Sequence, residues 1–325
     1  MTKRAFSVFG DSISTFEGCV PSENLVYYQG ENLERTGVAS VEDTWWMRVI
    51  NHFDGRLLSN ASFSGSMTAG AGFPAGYSDQ RIMQITGSQG EHPDDILVFM
   101  GTNDYGWGSS AAQAAGRSIA TPQCVDLLRV PMEVAGLASD DGLAEFETAY
   151  GLMLRKMRSS YPGSRIWCLS LMTGREVGRI SSCFTYALRG ILLHEYNEAI
   201  SRQACFNGCT FVDTQAIGFD YEASDGTHPT NRGMRQIAEM VIAAMIDDDR
   251  VDGGLAKYSH SNDGCAAVRA DALSLQYPEL FNEGMRAEQW CDKPACVACD
   301  YARGAGNQWS CVCDAPESVR NGKVV

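Results

Sequence analysis

The sequence predicts an α/β fold with a mostly parallel central sheet, and three observations carry that reading. Continuous apolar runs bounded by turn signals, such as Asp95-Ile96-Leu97-Val98-Phe99-Met100, suit strands buried on both faces. Segments of helical periodicity alternate with those runs along the first 250 or so residues. Small and polar residues follow the strands, as at Gly10-Asp11-Ser12 and Gly101-Thr102-Asn103-Asp104, and in parallel sheets ligands bind beyond the carboxyl ends of the strands.

Ala5–Phe9 is the first predicted strand, ending at Gly10. A long polar and aromatic loop follows, with Phe16, Tyr27 and Tyr28. Thr44 precedes Trp45-Trp46-Met47-Arg48-Val49-Ile50, whose apolar spacing is helical, and the helix stops near Gly55. Arg56–Asn60 is a short second strand leading into a Gly/Ser-rich stretch. After the Asp95–Met100 strand, a Gly-, Ala- and Ser-rich segment to about Asp141 reads as loop with short helical pieces. Leu143–Ser160 is a helix closed by Tyr161-Pro162-Gly163, Arg165–Met172 a buried strand, Leu192–Ala204 a helix, Thr210–Thr214 a strand, and Asn231–Ile246 a final helix.

The bulk properties narrow the partners. The chain has 325 residues, 44% hydrophobic and 20% charged, with a formal net charge of -14. So acidic a surface repels phosphate backbones and anionic lipid headgroups, which argues against nucleic acid and membrane surfaces. The apolar run Ala5–Phe9 is too short for a signal-peptide core and leads straight into a turn, and no apolar run approaches the ~20 residues needed to span a bilayer. With Met1 at the head of the chain, a cytoplasmic location is expected. Asn60-Ala61-Ser62 matches a glycosylation sequon, which carries no meaning in that compartment.

Four segments carry the chemistry: Gly10-Asp11-Ser12-Ile13-Ser14 after the first strand, Gly65 after the second, Gly101-Thr102-Asn103-Asp104 after the third, and Asp225-Gly226-Thr227-His228-Pro229 before the last helix. A serine hydroxyl needs a neighbouring base to become a nucleophile, and a histidine oriented by a carboxylate supplies one. His228 has Asp225 three residues earlier; His52, His92, His194 and His260 have no such carboxylate.

In this order and spacing the four segments resemble the sequence blocks of the SGNH (GDSL-type) hydrolase family, over residues 5 to about 246. The resemblance implies a three-layer α/β/α sandwich of flavodoxin-like type and a serine esterase working through an acyl-enzyme intermediate, with no cofactor needed for catalysis. It implies a triad of Ser12, Asp225 and His228, and an oxyanion hole from the backbone N–H groups of Ser12 and Gly65 and the side-chain amide of Asn103. Ile13 replaces the leucine of the GDSL string, and the residues before Gly65 fit the second block loosely. Acyl esters, short-chain or acetyl and carried on sugars, are the expected substrates. Asp11 reads as support for the Ser12 loop and Asp104 as a turn residue. Phe16, Tyr27, Tyr28 and Trp107 read as locally packed aromatics.

The composition changes near residue 250, dividing a catalytic domain, 1–250, from a cysteine-rich extension, 251–325. Twelve cysteines are many for an intracellular protein. Seven, from Cys19 to Cys265, are scattered and read as small buried hydrophobes. The other five are Cys291, Cys296, Cys299, Cys311 and Cys313, whose spacing fits structural zinc, disulfide pairing or free thiols alike and an iron–sulfur cluster less well. That cluster supports an alternative reading as a redox- or metal-responsive interaction protein on the same scaffold.

Overall fold

A computed structural model describes residues 3–114, 140–172, 174–177, 191–214, 221–252 and 267–269. Six strands form the central sheet: β1 (Ala5–Gly10), β2 (Arg56–Asn60), β3 (Asp95–Phe99), β4 (Arg165–Leu169), β6 (Thr210–Asp213) and β8 (Ala267–Arg269). Their order is β2-β1-β3-β4-β6-β8, every neighbouring pair parallel. Two short strands, β5 (Gly174–Glu176) and β7 (Tyr221–Ala223), pair in parallel beside it.

The helices are α1 (Glu31–Thr36), α2 (Trp45–His52), α3 (Asp79–Met83), α4 (Thr102–Trp107), α5 (Ser110–Ala114), α6 (Asp140–Ser160), α7 (Leu193–Phe206) and α8 (Asn231–Asp252). α2 packs on α8, and α6 on α7. Those pairs form the outer layers of the expected three-layer sandwich. β1 and β3 are buried along their whole length, the burial that continuous apolar runs predict for a sheet covered on both faces. Trp45 and Trp46 of α2 are fully buried, and both indole N–H groups donate to Ser14, to its Oγ at 3.2 Å and its carbonyl at 2.9 Å. The helix next to β2 thus holds the turn that follows β1.

The chain leaves β1 toward β2 on one side and crosses to β3 on the other. The loops after β1 and β3 therefore diverge at a topological switch point, where open α/β sheets form their crevice. The predicted strands and long helices sit where the sequence placed them. Periodicity missed α1, α3 and the β5–β7 pair, which are too short to show a repeat. The segment read as loop up to Asp141 contains α4 and α5, with residues 115–139 outside the described residues. The boundary expected near residue 250 falls in the last turn of α8, and β8 adds three residues from beyond it to the sheet edge.

Candidate active site

Ser12 opens a 3-10 turn, Ser12–Ser14, whose N-cap is Asp11; the Asp11 carboxylate accepts from Ile13 N–H at 3.0 Å. Asn60, at the end of β2, donates to the Ser14 carbonyl at 2.9 Å and ties the turn back to the sheet. The expected role of Asp11, supporting this loop, matches that geometry. The sequon asparagine is accordingly a buried structural residue.

Asp225 and His228 belong to a tight loop between β7 and α8. An antiparallel bridge joins Ala223 to Pro229, Ser224 N–H donates to the His228 carbonyl at 2.9 Å, and Gly226 takes the left-handed φ of 87° that the turn requires. Asp225 Oδ1 accepts from the backbone N–H groups of Thr227 at 3.1 Å and His228 at 2.8 Å. Its Oδ2 lies 2.7 Å from His228 Nδ1. On the far side of the ring, His228 Nε2 is 2.9 Å from Ser12 Oγ, across 216 residues of sequence. With Nδ1–H donating to the carboxylate, Nε2 is left to accept the serine proton. Burial works against the Asp225 charge, but the hydrogen bonds and charge of His228, with the two backbone N–H groups, hold its carboxyl well below the usual carboxylate range.

Gly65 and Asn103 come together on the neighbouring loops. Asn103, in the first turn of α4, donates from Nδ2 to the Ser66 carbonyl at 3.0 Å, which leaves its second amide hydrogen free to reach a ligand. Gly65 has φ 78°, and a side chain there would point into open space. Gly10 N-terminal to the serine turn receives Phe63 N–H on its carbonyl at 3.1 Å, which draws the loop bearing Gly65 toward that turn. Ser12, Gly65 and Asn103 thus lie on the loops after three adjacent strands, β1, β2 and β3.

Two buried side chains do more than the sequence suggested. Asp104, read as a turn residue, accepts from Thr68 N–H at 2.8 Å and Ala69 N–H at 2.9 Å, fixing the segment that follows Gly65. Burial pushes its carboxyl up to about 6, against the lowering effect of those bonds. Arg81 of α3 is fully buried and donates to the carbonyls of Ala61 at 3.0 Å, Pro74 at 2.7 Å and Gly10 at 3.1 Å. Burial lowers Arg81 to about 9 and raises Asp11 to about 7.

Tyr27, read as a locally packed aromatic, instead contacts two of the predicted site residues. Its ring stacks on His228 with centroids 3.4 Å apart, and its hydroxyl donates to Asp225 Oδ2 at 3.0 Å. No sequence signal marks such a residue: it lies in an irregular loop, 198 positions from Asp225.

Among the scattered cysteines, Cys168 and Cys209 are free and buried as expected, and Cys19 is free and half-buried. Cys205 departs from that reading, being disulfide-bonded. Cys291, Cys296, Cys299, Cys311 and Cys313 lie outside the described residues, and with them the alternatives of zinc, disulfide pairing and free thiols. Among the described residues no group of three or more His, Cys, Asp or Glu is placed to hold a metal, and no helix is long and apolar enough to cross a membrane.

No curated protein matches the chain. A protein of Bacteroides ovatus ATCC 8483 classed as a GDSL-like lipase is 26% identical, covering 76% of this chain and 100% of its own, with a TM-score of 0.50. A second, from Bacteroides uniformis ATCC 8492, is also 26% identical over 74% of this chain and 93% of its own, with a TM-score of 0.47. The profile described as GDSL-like Lipase/Acylhydrolase matches residues 4–198, more than half of the sequence. The chain belongs to the GDSL-like lipase/acylhydrolase family.

Proposed function

We propose that this chain is a serine esterase that hydrolyses acyl esters, with Ser12 as nucleophile, His228 as general base and acid, and Asp225 holding the imidazole. The observation that supports it most is the continuous relay of Asp225 Oδ2, His228 and Ser12 Oγ, with contacts of 2.7 and 2.9 Å. Ser12 Oγ attacks the ester carbonyl while its proton passes to His228 Nε2. The tetrahedral oxyanion is met by Ser12 N–H, Gly65 N–H and the Asn103 amide. His228 returns the proton to the leaving alcohol, which departs and leaves an acyl-serine. Water, deprotonated by His228, then attacks that ester, and the acid leaves as Ser12 regains its hydrogen.

Short or acetyl groups, borne on a polar carrier such as a sugar, are the proposed substrates. The support is the character of the loops after β2 and β3, where the residues that reach the surface beside Ser12, namely Ser64, Gly65 and Asn103, are small or polar and offer little apolar surface to a long chain. The reaction as drawn needs no cofactor.

The test is p-nitrophenyl ester hydrolysis over a series of acyl lengths, with acetylated sugars beside it. Turnover is expected to be greatest for acetyl and to fall by on the order of 10^5-fold or more in Ser12→Ala. Wild-type turnover in that variant removes Ser12 from the mechanism; a preference for long acyl chains removes the substrate assignment alone.

A further inference from the structure

Tyr27 lies flat on the imidazole of His228, the two rings within 10° of parallel. Its hydroxyl shares Asp225 Oδ2 with His228 Nδ1. One side chain therefore touches both the ring that moves protons and the carboxylate that orients it. The backbone of Tyr27 is tied to the nucleophile's own turn: its N–H donates to Thr15 Oγ1 at 2.9 Å, and that hydroxyl donates to the Ser12 carbonyl at 2.9 Å. Asn32 fixes the Tyr27 carbonyl at 2.8 Å. From α1, Arg35 donates to the Tyr27 hydroxyl, and its guanidinium stands 3.8 Å from Asp225 Oδ2 and 5.6 Å from the Tyr27 ring centre.

We propose that Tyr27, backed by Arg35, is a positioning residue that holds His228 in register with Ser12 and moderates the pull of Asp225 on the imidazolium. The proposal rests on the Ser12–His228–Asp225 reading given above. Two physical effects follow from the contact. A ring pressed against one face of the imidazole stops it swinging away from Ser12 once the acyl group is in place, and it offers an electron-rich surface to the cation formed as the serine proton arrives. A hydroxyl donating to Oδ2 takes up part of the carboxylate's charge that would otherwise favour the protonated imidazole. Burial first, and the Asp225 charge next, push Tyr27 up to about 12, so the hydroxyl stays a donor throughout the working range. The titratable groups gathered about the pair are Tyr27 and Tyr28 on the loop before α1, Arg35 on α1, Tyr221 on β7 and Asp11 just after β1; Tyr27 and Arg35 reach Asp225 directly, and Tyr27 also covers His228.

The experiment compares kcat, KM and the pH profile of p-nitrophenyl acetate hydrolysis for the intact chain and for Y27L, Y27F, R35M and S12A. Y27L removes the stacked ring and is expected to lower kcat about 10- to 100-fold while KM changes less than about threefold. Y27F keeps the ring, so its kcat should stay within about threefold, while the acid limb of kcat/KM moves upward by about 0.5 pH unit. R35M, a change at a half-exposed side chain, should move that limb in the same direction. Wild-type kcat in Y27L, or an unmoved acid limb in both Y27F and R35M, overturns the proposal even when S12A is inactive. Should Y27L fail to fold, the limb in Y27F and R35M decides alone. An active S12A instead sinks the triad reading on which the proposal stands.

Discussion

Gly174 touches neither Ser12, His228 nor Asp225 through a side chain, yet a methyl group added there should disable the proposed triad. The residue opens β5, and a Cβ built on it would lie 2.3 Å from the Gly226 carbonyl oxygen and 3.0 Å from the Gly226 carbonyl carbon. Real Cβ atoms essentially never come closer than 3.0 Å to such an atom, so the carbonyl must retreat by about 0.7 Å, and by about 1.1 Å to reach ordinary contact. Gly226 sits between Asp225 and His228 in a loop whose contacts run from 2.7 to 3.1 Å. A misplacement of about 1 Å can cost on the order of 100-fold in rate. Gly174→Ala is therefore expected to lower kcat/KM about 10- to 100-fold, or about 1.4–2.7 kcal/mol of transition-state stabilisation. Absent the clash, the same change in a strand interior would stabilise the protein by about 0.5–1 kcal/mol. Ester hydrolysis and a thermal melt read the two effects separately. Wild-type kcat/KM with a raised Tm would show that β5 yields in place of the loop, and the reasoning would be refuted.

Two further predictions concern the residues around the serine turn. Asn103→Ala should reduce kcat about 100- to 1000-fold, about 2.7–4 kcal/mol, with KM nearly constant, since the lost donor acts on charge that develops only in the transition state; a drop of less than threefold in steady-state kinetics would exclude the amide from the oxyanion hole. Asp11, raised by burial from 3.8 to about 7, keeps its proton in the folded state over a range where the unfolded chain has released it. Stability should therefore fall as pH rises from about 4 to about 7, with Asp104, raised to about 6, contributing with the same sign. Asp225 acts oppositely and lower: its depressed carboxyl stabilises above its unfolded value of 3.8, and that contribution is lost on further acidification. In Asp11→Asn, which retains an acceptor for Ile13 N–H, the Tm advantage over the native chain should grow across that window; denaturation curves at pH 4 and pH 7 with identical differences would contradict it.

What the sequence made legible divides by the range of the interaction. Continuous apolar runs sufficed for β1, β3 and β4 because burial on both faces is a property of the segment alone. The Asp225–His228 spacing was legible for a similar reason: three residues around a glycine turn bring the carboxylate beside the ring within one short loop. Asp104 and Tyr27 were misread because their partners are distant. Asp104 looks like any residue of a Gly-Thr-Asn-Asp turn until its carboxylate is seen to receive two backbone N–H groups from 35 and 36 positions away. Tyr27 has no neighbour in sequence that sets its ring on His228.

Arg81 shows most clearly why local reading stops short of the site. In a short amphipathic segment, Asp79-Gln80-Arg81-Ile82-Met83, an arginine is expected to face water. Here it is fully buried, and its three carbonyl partners lie at the end of β1, just beyond β2, and in the loop that continues from Gly65. Burying the guanidinium has a cost, as its lowering to about 9 indicates, and the nearby Asp11 carboxylate and the three carbonyls offset it. The same cation thereby fixes Gly10, two residues before Ser12, and Ala61, four residues before Gly65. The positions of the proposed nucleophile and the proposed oxyanion donor are consequently not independent: whatever moves Arg81 moves both loops together. Replacing it with methionine, which fills similar space without donors, would take the guanidinium N–H groups from the buried Ala61 carbonyl and leave the Gly10 carbonyl with Phe63 N–H alone, and should lower activity more steeply than its distance from Ser12 alone suggests.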